Sequence, residues 1–242
     1  MWCILASLAA FGADLTHQMS WNLSVAGKVV GHRDVTVKYV KSDVGMRRIV
    51  ESWTEIDGAA GPVRIRYRQR MTASGEGRDP MSFQSVIDEN GRGREVSVRW
   101  TPNAWVVTTV ADGRSRTGQL EPARVDLSSA DLFDPDSRVG LDGRTSARMI
   151  QAETGDVLSG TVSDLGHQIV EVGGEPVPVH GWSWDTPQGR QKLWYSSDGF
   201  LVRYEAQILG IAVEGLLRRP PPGGVDDFPV ALGRPEIEVT PL

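Results

Sequence analysis

The sequence predicts an all-β fold: a single domain of sequential antiparallel hairpins, forming a strongly curved sheet or half-open β-barrel with little helix. Three observations carry that expectation. From Met19 onward apolar and polar residues alternate with a period of two, the repeat of a strand whose successive side chains point to opposite faces. The alternating runs are rich in Val, Ile, Thr and aromatic residues, which fit a pleated surface. Gly, Asn and Asp punctuate them at short intervals, as tight turns require. A chain of 242 residues, 40% of them hydrophobic, can bury one sizeable core, and β-barrels or sandwiches of this length commonly form one domain.

Residues 1–13 stand apart as a signal-peptide-like segment. The run from Trp2 to Phe11 is apolar, and Ala10 and Gly12 place small residues at the −3 and −1 positions of a cleavage site, although no basic residue precedes the run. The run is too short to span a bilayer. Cys3, the single cysteine, lies inside it, so a processed chain would hold no disulfide, zinc thiolate or nucleophilic thiol. The expectation is a periplasmic or secreted protein, not an integral membrane protein, with its β domain over 14–219.

Within that domain, strands are expected near 19–26, 29–41, 46–57, 62–72, 81–89, 94–101, 104–111 and 114–120. The rhythm then breaks at EPARVDLSSADLFDPDSRVGLDGR, 121–144, whose Pro, Asp and Ser content reads as a long connection with one helical turn capped by Ser128 or Ser129. Strands resume near 145–152, 156–164, 167–173, 177–185, 190–196, 199–208 and 211–218. Residues 220–242 are proline-rich and largely aperiodic, and read as an extended tail.

The stretch PVRIRYRQRM, 62–71, carries an arginine at every second position. A hairpin turning at GAAG, 58–61, would set Glu55 opposite Arg64, Trp53 opposite Arg66, Glu51 opposite Arg68 and Ile49 opposite Arg70. Its other face would be largely apolar. Cross-strand charge pairs are worth about 0.2 to 1 kcal/mol each, so the stripe reads as the solvated face of an amphipathic sheet rather than an anion-binding face.

Charge and motif content narrow the function. Lys and Arg total 26 against 31 Asp and Glu, a net charge of −5, which argues against a dedicated nucleic-acid binder. His17, His32, His167 and His180 sit in no serine or cysteine nucleophile motif. His167 and Glu171 share a strand face but lie too far apart to chelate one ion alone. Asp131, Asp134, Asp136 and Asp142 do not match a calcium loop and read as turn and cap residues. ENGRGR, 89–94, reads as a hairpin turn rather than a phosphate cradle. No catalytic residue, metal or cofactor is expected.

The densest feature is aromatic: His180, Trp182 and Trp184 on one strand face, followed by Trp194, Tyr195, Phe200 and Tyr204. LWYSSDGFLVRYEAQILGIAVEGLLRR, 193–219, preceded by VPVHGWSWDTPQG, resembles the end of an uncharacterised family of exported bacterial β-proteins. That family, a domain of unknown function, closes on a Trp-Tyr-Asp-x-x-Gly-like motif, an apolar strand and a last strand after another glycine. MSWNLSVAGKVVGHRDVTVKY, 19–39, resembles the family's first hairpin, with Gly31 just before the polar His32. Here Ser196 and Ser197 precede Asp198-Gly199, where the family has aspartate directly after Trp-Tyr. The resemblance covers most of 19–219. It implies a distant likeness to LolA-type periplasmic lipoprotein carriers, in which an open β-barrel wraps an apolar cavity covered by helices, although this chain has few segments patterned as lid helices. It transfers no active-site residue.

The function expected from these readings is non-enzymatic binding of an apolar or lipid-like small molecule in a concave β-sheet cavity, with Trp100, Trp105, Trp182, Trp184, Trp194 and His180 at its wall. A structural or assembly protein of the cell envelope, meeting a protein partner through its surface or an edge strand, is the alternative. A carbohydrate-active enzyme is a third, and would need two carboxylates across an aromatic groove.

Overall fold

A computed structural model describes residues 15–43, 45–60, 63–77, 79–135, 143–208 and 210–221. The signal-peptide-like segment, all of the tail beyond 221, and Asp136 and Asp142 lie outside the described residues. The strands are Leu15–Val25 (β1), Lys28–Ser42 (β2), Gly45–Ala60 (β3), Val63–Glu76 (β4), Ser82–Glu89 (β5), Arg92–Thr101 (β6), Ala104–Ala111 (β7) and Arg114–Leu120 (β8). After the connection come Leu127–Ser128 (β9), Ser146–Ile150 (β10), Val157–Val172 (β11), Glu175–Thr186 (β12), Gly189–Ser196 (β13), Leu201–Ile208 (β14) and Ile211–Leu217 (β15).

All fifteen join one sheet in the order β8-β7-β6-β5-β4-β3-β2-β1-β15-β14-β13-β12-β11-β10-β9. The first and last strands therefore meet in the middle, Trp21 opposite Leu217, and the two halves run outward from that seam as hairpins. Every pairing is antiparallel except the short parallel step of β9 on β10. The sheet is not closed, but it curls until its halves face one another. Gly155, in the turn after β10, leaves no room for a Cβ, which would stand 2.8 Å from Val107 and 3.2 Å from Val96, and Arg94 of β6 donates to the Glu153 carbonyl at 3.2 Å.

The alternation seen in sequence is the alternation of burial: Ile65, Tyr67, Gln69, Met71 and Ala73 of β4 are buried, while Arg64, Arg66, Arg68 and Arg70 are exposed. The β3–β4 register differs from the expected one by four residues. Both strands run on to Ala60 and Val63, so Glu55 rather than Glu51 stands opposite Arg68, and Trp53 opposite Arg70. Four is an even number, so no side chain changes face. Two of the four arginines are answered by carboxylates of β3, Arg68 by Glu55 at 2.9 Å and Arg64 by Asp57 at 3.3 Å.

Two further expectations are corrected. The strands expected at 156–164 and 167–173 are one strand, β11, bent by a bulge between Asp164 and Gly166, where the Asp164 carboxylate accepts from the Gly166 N–H at 2.6 Å. A bulge and a turn share the same punctuation in sequence. The helical turn in the connection is a 3-10 turn over Asp131–Phe133 with no side-chain cap. The relation to serine is reversed: the Asp131 carboxylate accepts from the Ser128 N–H at 2.6 Å and from its hydroxyl at 3.0 Å.

The connection enters the curled sheet instead of crossing its surface. Leu127, Ser128, Ala130, Asp131, Phe133, Asp134 and Pro135 are all buried. Phe133 meets the ring of Trp21 edge-on at 5.8 Å, and Trp21, wholly buried, donates from its indole N–H to the Leu201 carbonyl at 3.2 Å. Asp134 anchors the segment at one end of the barrel, 2.6 Å from an Arg48 Nη and 2.7 Å from the Tyr39 hydroxyl. The other Arg48 Nη donates to the Asp79 carbonyl. The WYSSDG turn closes over this end. Gly199, at a φ of +87°, comes so close to Pro135 that a Cβ would stand 2.3 Å from the proline carbonyl oxygen, a backbone conformation and a clearance that only glycine meets without strain.

Breaking a buried ion pair from one side leaves an uncompensated charge and costs about 3–5 kcal/mol. Arg48→Ala is expected to lose about that much in urea unfolding, whereas Arg64→Ala, at an exposed pair, is expected to lose less than about 1 kcal/mol.

Candidate functional site

Above the inserted segment the barrel is hollow. A cavity of about 510 Å³ lies between β2–β4 on one side and β10–β14 on the other, with Leu132 and Phe133 forming part of its wall. Its body is apolar: Met71, Leu132, Phe133, Met149, Leu158, Leu193, Leu201 and Ile208. Its mouth lies at hairpin ends, where Gln188, Arg190 and Gln207 are exposed.

One wall is polar. Across the inward face of β2, β3 and β4, Arg33 stands opposite Thr54 and Thr54 opposite Gln69, and all three are buried. Arg33 Nε donates to Thr54 Oγ1 at 2.8 Å, and the Gln69 amide donates to Ser85 Oγ at 2.9 Å. The Arg33 guanidinium lies between two rings, its carbon 5.2 Å from the centre of Phe133 and 5.3 Å from that of Tyr204, an arrangement that holds the cation through the ring faces. Tyr204 lies flat because it faces Gly215 across β14 and β15; a Cβ there would stand 2.2 Å from its ring.

Several buried donors in this region have no hydrogen-bond partner among the described residues: the hydroxyls of Tyr67 and Tyr204 and the amide nitrogen of Gln151. Burial is the main influence on both phenols and pushes their pKa values up, against a smaller lowering by Arg33. They remain protonated donors at neutral pH. Glu153 is the single carboxylate among the described lining residues, so the wall does not present the two carboxylates of a glycosidase.

The six residues expected to form the wall do not line this cavity. Trp105 and Trp184 are core residues, the latter donating to the Ala147 carbonyl at 3.1 Å. Trp100 is half-buried and faces Trp105 across the β6–β7 hairpin. Trp182 stacks on His180 at 4.3 Å and meets Tyr195 at 5.8 Å. Trp194 follows the cavity-lining Leu193 and turns away from it, across Gly181 and under Arg203, whose guanidinium carbon is 4.7 Å from its ring. His180 pairs with Asp164 at 2.7 Å beside His167, and the described residues contain no group of three or more His, Cys, Asp or Glu side chains placed to hold a metal ion.

The polar wall is not legible in the alternation because Arg33 and Gln69 each stand singly among same-parity neighbours of the core, Arg33 before Val35, Val37 and Tyr39 and Gln69 between Tyr67 and Met71. A charged residue at an inward position is the sequence signal that marks it.

These features define a β-barrel-like protein with an internal cavity. The chain belongs to the family described as Domain of unknown function (DUF6134), which matches residues 21–218. Among solved structures it is similar to a beta-barrel-like protein of Domain of Unknown Function DUF1849 from Brucella abortus, with 12% identity and a TM-score of 0.53 over 85% of this chain and 96% of that one. No curated protein matches it. Among the described residues no helix is long and apolar enough to cross a membrane.

The inserted segment carries a titrating group. Burial lifts the Asp131 carboxyl to about 6, against the opposing hydrogen bonds from Ser128. Its ordinary value is about 4, so protonation favours the folded state. The unfavourable contribution is absent below about pH 4 and complete above about pH 6. Asp131→Asn is expected to raise the melting temperature relative to the parent at pH 7.5, with the difference shrinking toward zero at pH 4, as followed by circular dichroism.

Proposed function

We propose that this protein is an exported, non-enzymatic binding protein that holds an apolar or lipid-like small molecule inside its open barrel, in the manner of LolA-type carriers. The observation that carries the reading is the cavity of about 510 Å³, with an apolar body and a mouth at the hairpin ends. That volume falls in the range of about 300–1,000 Å³ typical of small-molecule sites, and desolvation of an apolar ligand would drive its entry. The composition of residues 1–13 supports a periplasmic or secreted location. The net charge of −5 argues against a nucleic-acid partner.

An envelope assembly role is the second reading, favoured by the edge strand β8. It ends the sheet, and Arg114 to Gln119 are exposed along it, a template for strand addition by a protein partner.

Native mass spectrometry of protein purified from the periplasm, followed by organic extraction, separates the two. The carrier reading expects a co-purifying apolar molecule that is lost in Ala206→Trp, where a ring is placed in the cavity from a half-buried lining position. An apo mass with nothing to extract would overturn it in favour of the assembly role.

A further inference from the structure

We propose that the ligand of this cavity bears an anionic head, a carboxylate, and that Arg33 is the residue that receives it. The inference rests on the carrier reading and specifies what is carried. Arg33 is 8% exposed yet lines the cavity. Its Nε is used by Thr54. Neither of its Nη atoms has a hydrogen bond or a carboxylate within ion-pair distance among the described residues. Buried arginines are normally paired, because an unanswered charge removed from water is costly. Arg48, at the closed end of the same barrel, shows the ordinary solution with Asp134 at 2.6 Å.

The geometry around Arg33 selects the class of ligand. Phe133 and Tyr204 cover the guanidinium, so what remains for a ligand is the Nη edge, a fork that matches a carboxylate. The unpartnered Tyr204 hydroxyl and Gln151 amide are further donors on the lining. Of the other two cations of the lining, Arg190 is paired with Asp185 and Arg94 donates to the Glu153 carbonyl, while Glu153 brings one carboxylate to the same lining. With Arg94 set against Glu153, the lining keeps one positive charge in excess, which suits one negative charge, and the apolar body beyond Arg33 suits a hydrocarbon chain. A single-chain carboxylate amphiphile satisfies both halves of the wall.

Three probes with the same chain and different heads test this by titration calorimetry: decanoate, decan-1-ol and decyltrimethylammonium. The expected order is decanoate tightest, with Arg33→Met losing about 10- to 100-fold in decanoate affinity and far less in affinity for decan-1-ol, whose neutral head forms no ion pair. Arg33→Lys keeps the charge but not the fork. It is expected to fall between the two, and it provides the comparison if the methionine variant does not fold. Equal affinity for decanoate and decan-1-ol, or decanoate binding unaffected in either variant, would overturn the role of Arg33 and leave the carrier reading standing. Binding of none of the probes, with nothing extracted from the purified protein, would overturn both.

Discussion

The interior of this protein depends on the burial of one ion pair, Arg48 with Asp134. Asp134 is wholly buried and Arg48 nearly so, and a charge in that position persists only when it is paired and hydrogen-bonded. Tyr39 completes the arrangement on Asp134. Because Asp134 belongs to the connection and Arg48 to β3, satisfying the charge draws the connection into the curled sheet. Phe133 follows it, against Trp21 and over Arg33. One end of the barrel is thereby filled, and the hollow is left at the other.

The same sheet treats its inward polar residues in two ways. Near the closed end, Arg48 meets a carboxylate supplied by the chain. Six residues before Tyr39 along β2, about 20 Å at the rise of a strand, Arg33 meets two aromatic faces and a cavity. A core that needed only apolar packing would place a hydrophobic residue there, at no cost in desolvation. The retained cation, the protonated phenol of Tyr204 and the amides of Gln69 and Gln151 make that wall a polar surface facing an apolar one. This division lets a cavity orient a ligand as well as enclose it.

The outer face obeys simpler rules. Its ion pairs run across neighbouring strands, as Lys192 meets Glu205 at 2.7 Å and Arg203 meets Glu214 at 2.7 Å. The tryptophans illustrate how abundance misleads. Trp21, Trp105 and Trp184 are the largest fully buried side chains, and they fill the volume of the core. Trp194 is buried on the opposite face from the cavity, with the Lys192 ammonium and the Arg203 guanidinium over its ring. Large rings stabilise a curved sheet by area alone, so their clustering in sequence marked the core and not the hollow.

What the sequence determined by itself is local: the period of two, the punctuation by turns, the order of the hairpins, the break at 121–144 and the face on which each side chain lies. Those features follow from backbone geometry over a few residues, and a register slip of an even number leaves them intact. The remaining features arise from packing. The seam joining β1 to β15, the fusion of two expected strands into the bent β11, the inward path of Asp131 to Asp134 and the cavity beside Arg33 all depend on contacts between distant parts of the chain. Parity tells which face a residue occupies, but the curvature of the whole sheet determines whether that face meets a neighbour, a plug or an empty space.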